Sequence, residues 1–133
     1  MPAKHEIDDS NKLIITRWAG ILDDNDMIQV YLEYLKNIKT LPQFIPYNEI
    51  VDFSKTDEIN LSVEGIKKVG EIASTADRED VKTKCAIVVN SNLAFGLARM
   101  YQVYRSFSPR ANKELRVFKK GKDALEWVKG SDK

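Results

Sequence analysis

The chain predicts a single α/β domain, a mixed and mainly parallel sheet of about five strands with four helices, in the order ββαβαβαβα. Three observations carry this expectation. Short β-branched apolar runs alternate with longer segments whose apolar residues recur at helical spacing, the pattern of strand–helix–strand crossovers. The run CAIVVN at 85–90 is apolar almost throughout, as a central strand covered on both faces should be. The first two strand-like runs are separated only by the turn signal DDSN, so they read as an antiparallel hairpin added to a parallel sheet.

The elements follow in order. KHEID (4–8) and KLIITRW (12–18) are the hairpin strands. DDND at 23–26 starts a helix to about Lys39, with Asp23 or Asp24 as N-cap and acid at the positive helix end. Met27, Tyr31, Tyr34, Leu35 and Ile38 form its inner stripe. TLPQFIP at 40–46 is a connector, because neither proline suits a helix interior. NEIVDF (48–53) reads as a buried strand, followed by a polar loop. Ser62 caps a helix over about 63–75, with Ile66, Val69, Ile72 and Ala73 inward. After CAIVVN a helix runs to about Phe107, SPRANKE (108–114) is a loop, LRVFK (115–119) is the last strand and DALEWVK closes the chain as a helix.

A length of 133 residues suits one domain over residues 1–133, large enough to bury a core. Hydrophobic content of 43% and charged content of 31% are ordinary for a globular protein. No apolar run approaches the roughly 18 residues needed to cross a bilayer, so membrane insertion is not expected. The start, MPAKHEIDDS, has no apolar signal core. Cys85 is the single cysteine, which fits a reducing cytoplasm. Charge is uneven: residues 1–98 hold 11 Lys/Arg and 16 Asp/Glu, whereas residues 99–133 hold 10 and 4. A basic end can meet an acidic partner or a phosphate backbone, or simply be solvated. No recognition helix, zinc finger or aromatic RNA-binding signature accompanies it, so no nucleic-acid partner is expected.

Counting also argues against many kinds of active site. His5 is the only histidine and reads as a surface residue near the N-terminus, so a Ser-His-Asp or Cys-His site would have to recruit it. Cys85 opens an apolar strand and reads as a small core residue. Zinc ligands are lacking, and neither a P-loop nor a G-x-G-x-x-G motif is present. Asp23, Asp24 and Asp26 lack the glycine and closing glutamate of a calcium loop and suit helix capping better. The expectation is a non-enzyme with no cofactor and no metal. An enzyme built on a carboxylate pair assembled in space is the alternative that no sequence feature picks out.

Several motifs fall at the ends of these elements: Trp18-Ala19-Gly20, Val51-Asp52-Phe53, and FGLARMY from Phe95 to Tyr101. With the element order, they make the chain resemble the STAS-like, SpoIIAA-like superfamily, which includes anti-anti-sigma factors and the cytoplasmic domains of sulfate transporters. The nearer resemblance is to its bacterial branch of small stand-alone proteins. It covers nearly the whole chain and implies a SpoIIAA-like fold. In anti-anti-sigma factors a D-S-S-G motif opens the second helix, and the serine before the glycine is phosphorylated. The matching stretch here is Ser62-Val63-Glu64-Gly65-Ile66, with Glu64 at the acceptor position. Glu64 either imitates a permanently modified state or is favourable acid in a helix first turn. Ser54 and Ser62 are the hydroxyls left near this site. Loops 54–62 and 90–93 should be neighbours at the sheet edge where such folds bind ligands, and their N–H groups could receive an anion.

The helix after CAIVVN carries the clearest functional signal. With Leu93 at 0° and about 100° per residue, Leu97, Met100, Tyr104 and Phe107 fall together and read as its core stripe. Phe95 then lies opposite, with Ala98, Arg99, Gln102 and Arg105. An aromatic among arginines and small residues has the composition of an interface anchor. This face is therefore expected to contact a partner or ligand, or Phe95 folds over a loop of its own domain. The leading expectation is a non-catalytic protein-interaction or regulatory module that self-associates as a homodimer. The alternative is a carrier or sensor of a small, partly apolar ligand or lipid. Trp18, Tyr31, Tyr34, Tyr101 and Tyr104 could line its pocket, or be plain core.

Overall fold

A computed structural model describes residues 2–108, 110 and 112–130. Strands β1 (Ala3–Asp8) and β2 (Leu13–Asp23) form the antiparallel hairpin. Helix α1 (Asp24–Tyr34) continues into a π-helical turn, Leu35–Lys39. Then come β3 (Asn48–Asn60), α2 (Val63–Ser74), β4 (Thr83–Val88), α3 (Asn92–Ser106), β5 (Lys113–Phe118) and α4 (Gly121–Val128). The strands lie in sequence order, β1-β2-β3-β4-β5, antiparallel only at β1–β2. The predicted mixed sheet and element order are both present.

Side-chain caps begin three helices, two of them at the residues the sequence predicts and the third at Ser91. Asp23 accepts from the Asp26 N–H at 2.8 Å, Ser62 from Gly65 at 3.0 Å and Ser91 from Ala94 at 3.1 Å. Each cap stabilises its helix by about 1 kcal/mol.

Strands β2 and β3 are longer than expected. They stay paired as far as Asp23 with Asn60, through register shifts at Arg17/Ala19 and Gly20/Ile21. Gly20 has φ 80°, a left-handed conformation that glycine adopts without strain. The segment SKTDEIN, which reads as a polar loop, is the far half of β3. It forms a two-stranded ribbon beyond β4, wet on one side. Thr56 is buried and Ile59 half-buried in it, so its period-two signal is weak.

The sheet is covered on both faces. Leu13, Ile50, Ala86 and Val88 pack with Ala124, Trp127 and Val128 of α4. The alternate residues Ile14, Trp18, Cys85, Ile87 and Val89 pack beneath α1, α2 and α3. The continuous apolar run of β4 follows from this, since each of its faces is buried. No helix among the described residues is long and apolar enough to cross a membrane.

Candidate functional site

Ala94 and Ala98 of α3 pack against Cys85, Ile87, Val89 and Leu115 on the sheet side. Between the sheet and helices α1–α3 lies a cavity of about 120 Å³. One end is apolar, walled by Trp18, Met27, Phe53, Ile59, Leu61 and Val89. Trp18 stacks on Phe53 with ring centroids 5.8 Å apart. It is 3% exposed, and its indole N–H has no hydrogen-bond partner among the described residues.

The other end is polar and built by strand alternation. Glu49 falls on the same face of β3 as Val51 and Phe53, which places a carboxylate in the interior. It accepts from the Tyr34 hydroxyl at 2.7 Å and from the Lys113 ammonium. Burial alone would raise the Glu49 carboxyl. The charges of Lys113 and Lys39, with hydrogen bonds from Lys113 and Tyr34, outweigh it and hold the group below its ordinary value. His5 bonds Thr16 Oγ1 through Nδ1 at 2.8 Å and stacks on Tyr34 at 4.9 Å. Half-buried rather than on the surface, it is shifted down by desolvation. Burial pushes the Cys85 thiol up to about 12 and raises the Tyr31, Tyr34 and Tyr101 phenols. Cys85 is thus the small core residue expected.

Arg105 completes this end. Its guanidinium donates to Asp77 through both terminal nitrogens, at 2.8 and 2.6 Å, and Ser108 donates to the same carboxylate at 2.6 Å. Both charged side chains are nearly fully buried, and Arg105 Nε has no partner among the described residues. A second hollow of about 420 Å³ shares Tyr31 and Lys113 with the cavity. Three of its cations are engaged: Lys39 with the carbonyls of Phe44, Ile45 and Tyr47, Arg78 with Asp80, and Lys113 with Glu49.

The predicted contact face of α3 needs correction. Ala98 and Arg105 are buried and line the cavity instead of an outer surface. Gln102 donates to the Leu115 carbonyl at 2.6 Å. Phe95 is half-buried against the cluster containing Ile87, Val89 and Leu115, with the Lys119 ammonium 5.2 Å from its ring centre. What covers Phe95 is therefore its own domain, and only Arg99 of the five is exposed. Of the stripe read as core, Leu93 and Phe107 are turned out, at 68% and 77% exposed, while Met100 and Tyr104 are half-buried and Leu97 lines the cavity. The helix is rotated by about 100° from the expectation. Hydrophobic ranking missed that two alanines pack against the sheet side and that Asp77 draws Arg105 inward.

Of the aromatics expected to line a pocket, Trp18, Tyr31, Tyr34 and Tyr101 do. Tyr104 packs on Gly70 of α2, beneath Lys67. Sequence reading missed Glu49, Lys113 and Asp77. Glu49 was within reach, since period two in NEIVDF puts it in line with Val51 and Phe53. Among the described residues no three His, Cys, Asp or Glu side chains gather as a metal site.

A solved structure shares this architecture over most of its length. It is an uncharacterized protein of the DUF3478 family, with a SpoIIAA-like fold, from Shewanella loihica PV-4. The match has a TM-score of 0.56 and 20% identity, and covers 95% of this chain and 91% of that one. The fold is SpoIIAA-like. At that identity the likeness speaks for fold alone. No protein-family model and no curated protein matches the sequence.

Within the SpoIIAA-like frame, the start of α2 is closed by the chain itself. Ser62 caps the helix, and its N–H and hydroxyl both donate to the Asp24 carboxylate, at 2.9 and 2.5 Å. A Cβ on Gly65 would lie 2.0 Å from Asp24 Oδ1, which explains the glycine. The anion at this helix end is therefore the side chain of Asp24. Glu64 is exposed in the first turn. Ser54 is exposed, and its carbonyl accepts from Asn90 Nδ2 at 3.0 Å, joining the far half of β3 to the start of α3 as expected.

Proposed function

We propose that the chain is a non-catalytic binding module that holds a small, partly apolar molecule between its sheet and helices α1–α3. The cavity of about 120 Å³ carries this reading. An apolar cavity of about 150 Å³ takes up a molecule the size of benzene. Support against catalysis comes from the lining groups: Glu49 is committed to Lys113 and Tyr34, and the Cys85 thiol is held near about 12. Neither is poised for acid–base work near neutrality. The test is native mass spectrometry of freshly purified protein, with thermal unfolding in the presence of benzene and toluene. A retained mass or a rise in Tm is expected in the wild type, and no rise in Ala98→Leu, which fills the cavity. A clean apo mass with no shift from either probe refutes the reading.

A second reading, self-association, rests on α3. Its outward residues Leu93, Gly96, Met100, Val103 and Phe107 form one stripe, with Leu93, Val103 and Phe107 at 68%, 53% and 77% exposed. At Gly96 nothing among the described residues, beyond the helix's own neighbouring backbone, lies within 4 Å of where a Cβ would stand, leaving room for a second helix. A stripe meeting itself about a two-fold axis is the simplest cover. Sedimentation should give a dimer for the wild type and a monomer for Leu93→Glu/Phe107→Glu. A wild-type monomer at high concentration removes this reading.

A further inference from the structure

We infer that the molecule held in the cavity is neutral and carries an oxygen acceptor, as a ketone, ether or ester does, and that this oxygen sits on the indole N–H of Trp18. This rests on the binding reading above and names the class of ligand.

The inference starts from two buried donors. Trp18 Nε1 and Arg105 Nε are the buried side-chain nitrogens without a partner among the described residues, and both residues line the same cavity. Their surroundings differ. Arg105 shares the polar end with Tyr31, Tyr101 and Glu49, where a water can find the two to four partners it needs. Trp18 packs with Leu22, Met27, Val30, Val51, Phe53 and Leu61. The nearest hydroxyl on its strand face, that of Thr16, is engaged with His5. A water there has one protein partner and is poorly held. An acceptor delivered on an apolar body satisfies the N–H and keeps the apolar walls covered. A hydrocarbon leaves the donor unmet. A carboxylate would lie among apolar side chains, with Lys113 and Arg105 at the other end and already paired with Glu49 and Asp77.

The test uses cyclopentanone and methylcyclopentane, matched in heavy-atom count, titrated into ¹⁵N-labelled full-length protein. The chain has two tryptophans, so Trp127, which α4 packs on the opposite face of the sheet, is the internal control. Cyclopentanone should move the Trp18 indole proton downfield and leave Trp127 unmoved; methylcyclopentane should bind without that downfield shift. Trp18→Phe should weaken cyclopentanone by about tenfold more than it weakens methylcyclopentane. Binding of both probes with no ketone-specific shift at Trp18 overturns this inference and leaves the binding reading intact. Binding of neither overturns both. Should Trp18→Phe fail to fold, the wild-type titration decides alone.

Discussion

Replacing Asp77 by alanine is the sharpest test of how the cavity's polar end is held. The pair it breaks is bidentate, with side chains 4% and 3% exposed, and Ser108 adds a third bond to the carboxylate. Removing one partner of a buried pair leaves an uncompensated charge in the interior, a loss of about 3–5 kcal/mol. At roughly 2.1 cal/mol/K per residue, a 133-residue domain has an unfolding entropy near 0.28 kcal/mol/K. Tm should therefore fall by about 11–18 °C. Urea unfolding followed by circular dichroism at neutral pH gives the free energy directly, with the m-value as a check on two-state behaviour. The double variant Asp77→Leu/Arg105→Met removes both charges and should regain most of the loss. A loss below about 1 kcal/mol in Asp77→Ala, or a double variant as weak as the single, would refute a dry and mutually dependent pair.

Gly65→Ala should destabilise by about 1–3 kcal/mol, although alanine is normally the better helix former, because its Cβ meets Asp24 Oδ1; in an Asp24→Ala background the same change should become neutral or favourable, as chemical denaturation will show. Glu49 and Asp77 both sit below their ordinary values in the folded chain, so the unfolded chain takes up protons first as pH falls. Their contribution is complete above about pH 5 and is lost progressively through the lower, folded values. Glu49→Gln should show a shallower loss of stability on acidification than the wild type, and an equal slope would contradict this. Cys85 is buried with its thiol pushed up to about 12, so a thiol reagent at neutral pH should label it only at the rate of unfolding.

Most of the fold was legible because periodicity reports burial. CAIVV is apolar on every residue, and β4 is the strand packed between α3 and α4. Asp23 and Ser62 announced their helices through side-chain oxygens. What escaped were features fixed by partners distant in sequence. The ribbon half of β3 is polar along its wet side, and only pairing with β2 makes it a strand. Arg105 looks like surface until Asp77, 28 residues earlier, is seen to claim it. Lys113 and Glu49, 64 residues apart, meet only because β4 lies between their strands. The α3 wheel failed for a related reason, since Ala94 and Ala98 pack against the sheet side in place of larger apolar side chains.

The strand order also bears on how the molecule is made. Because β1 to β5 lie side by side in chain order, a chain growing from its N-terminus always presents the edge that the next strand needs. The hairpin supplies the first pair, and each helix then carries the chain one position along. No strand has to be inserted between two already joined, and no early strand must wait for a late one. The sheet can be assembled outward from β1 as synthesis proceeds, with the loop closed at each step confined to one helix and its connections. Helix α4, which seals the opposite face with Trp127, follows all five strands and so packs onto a sheet already complete.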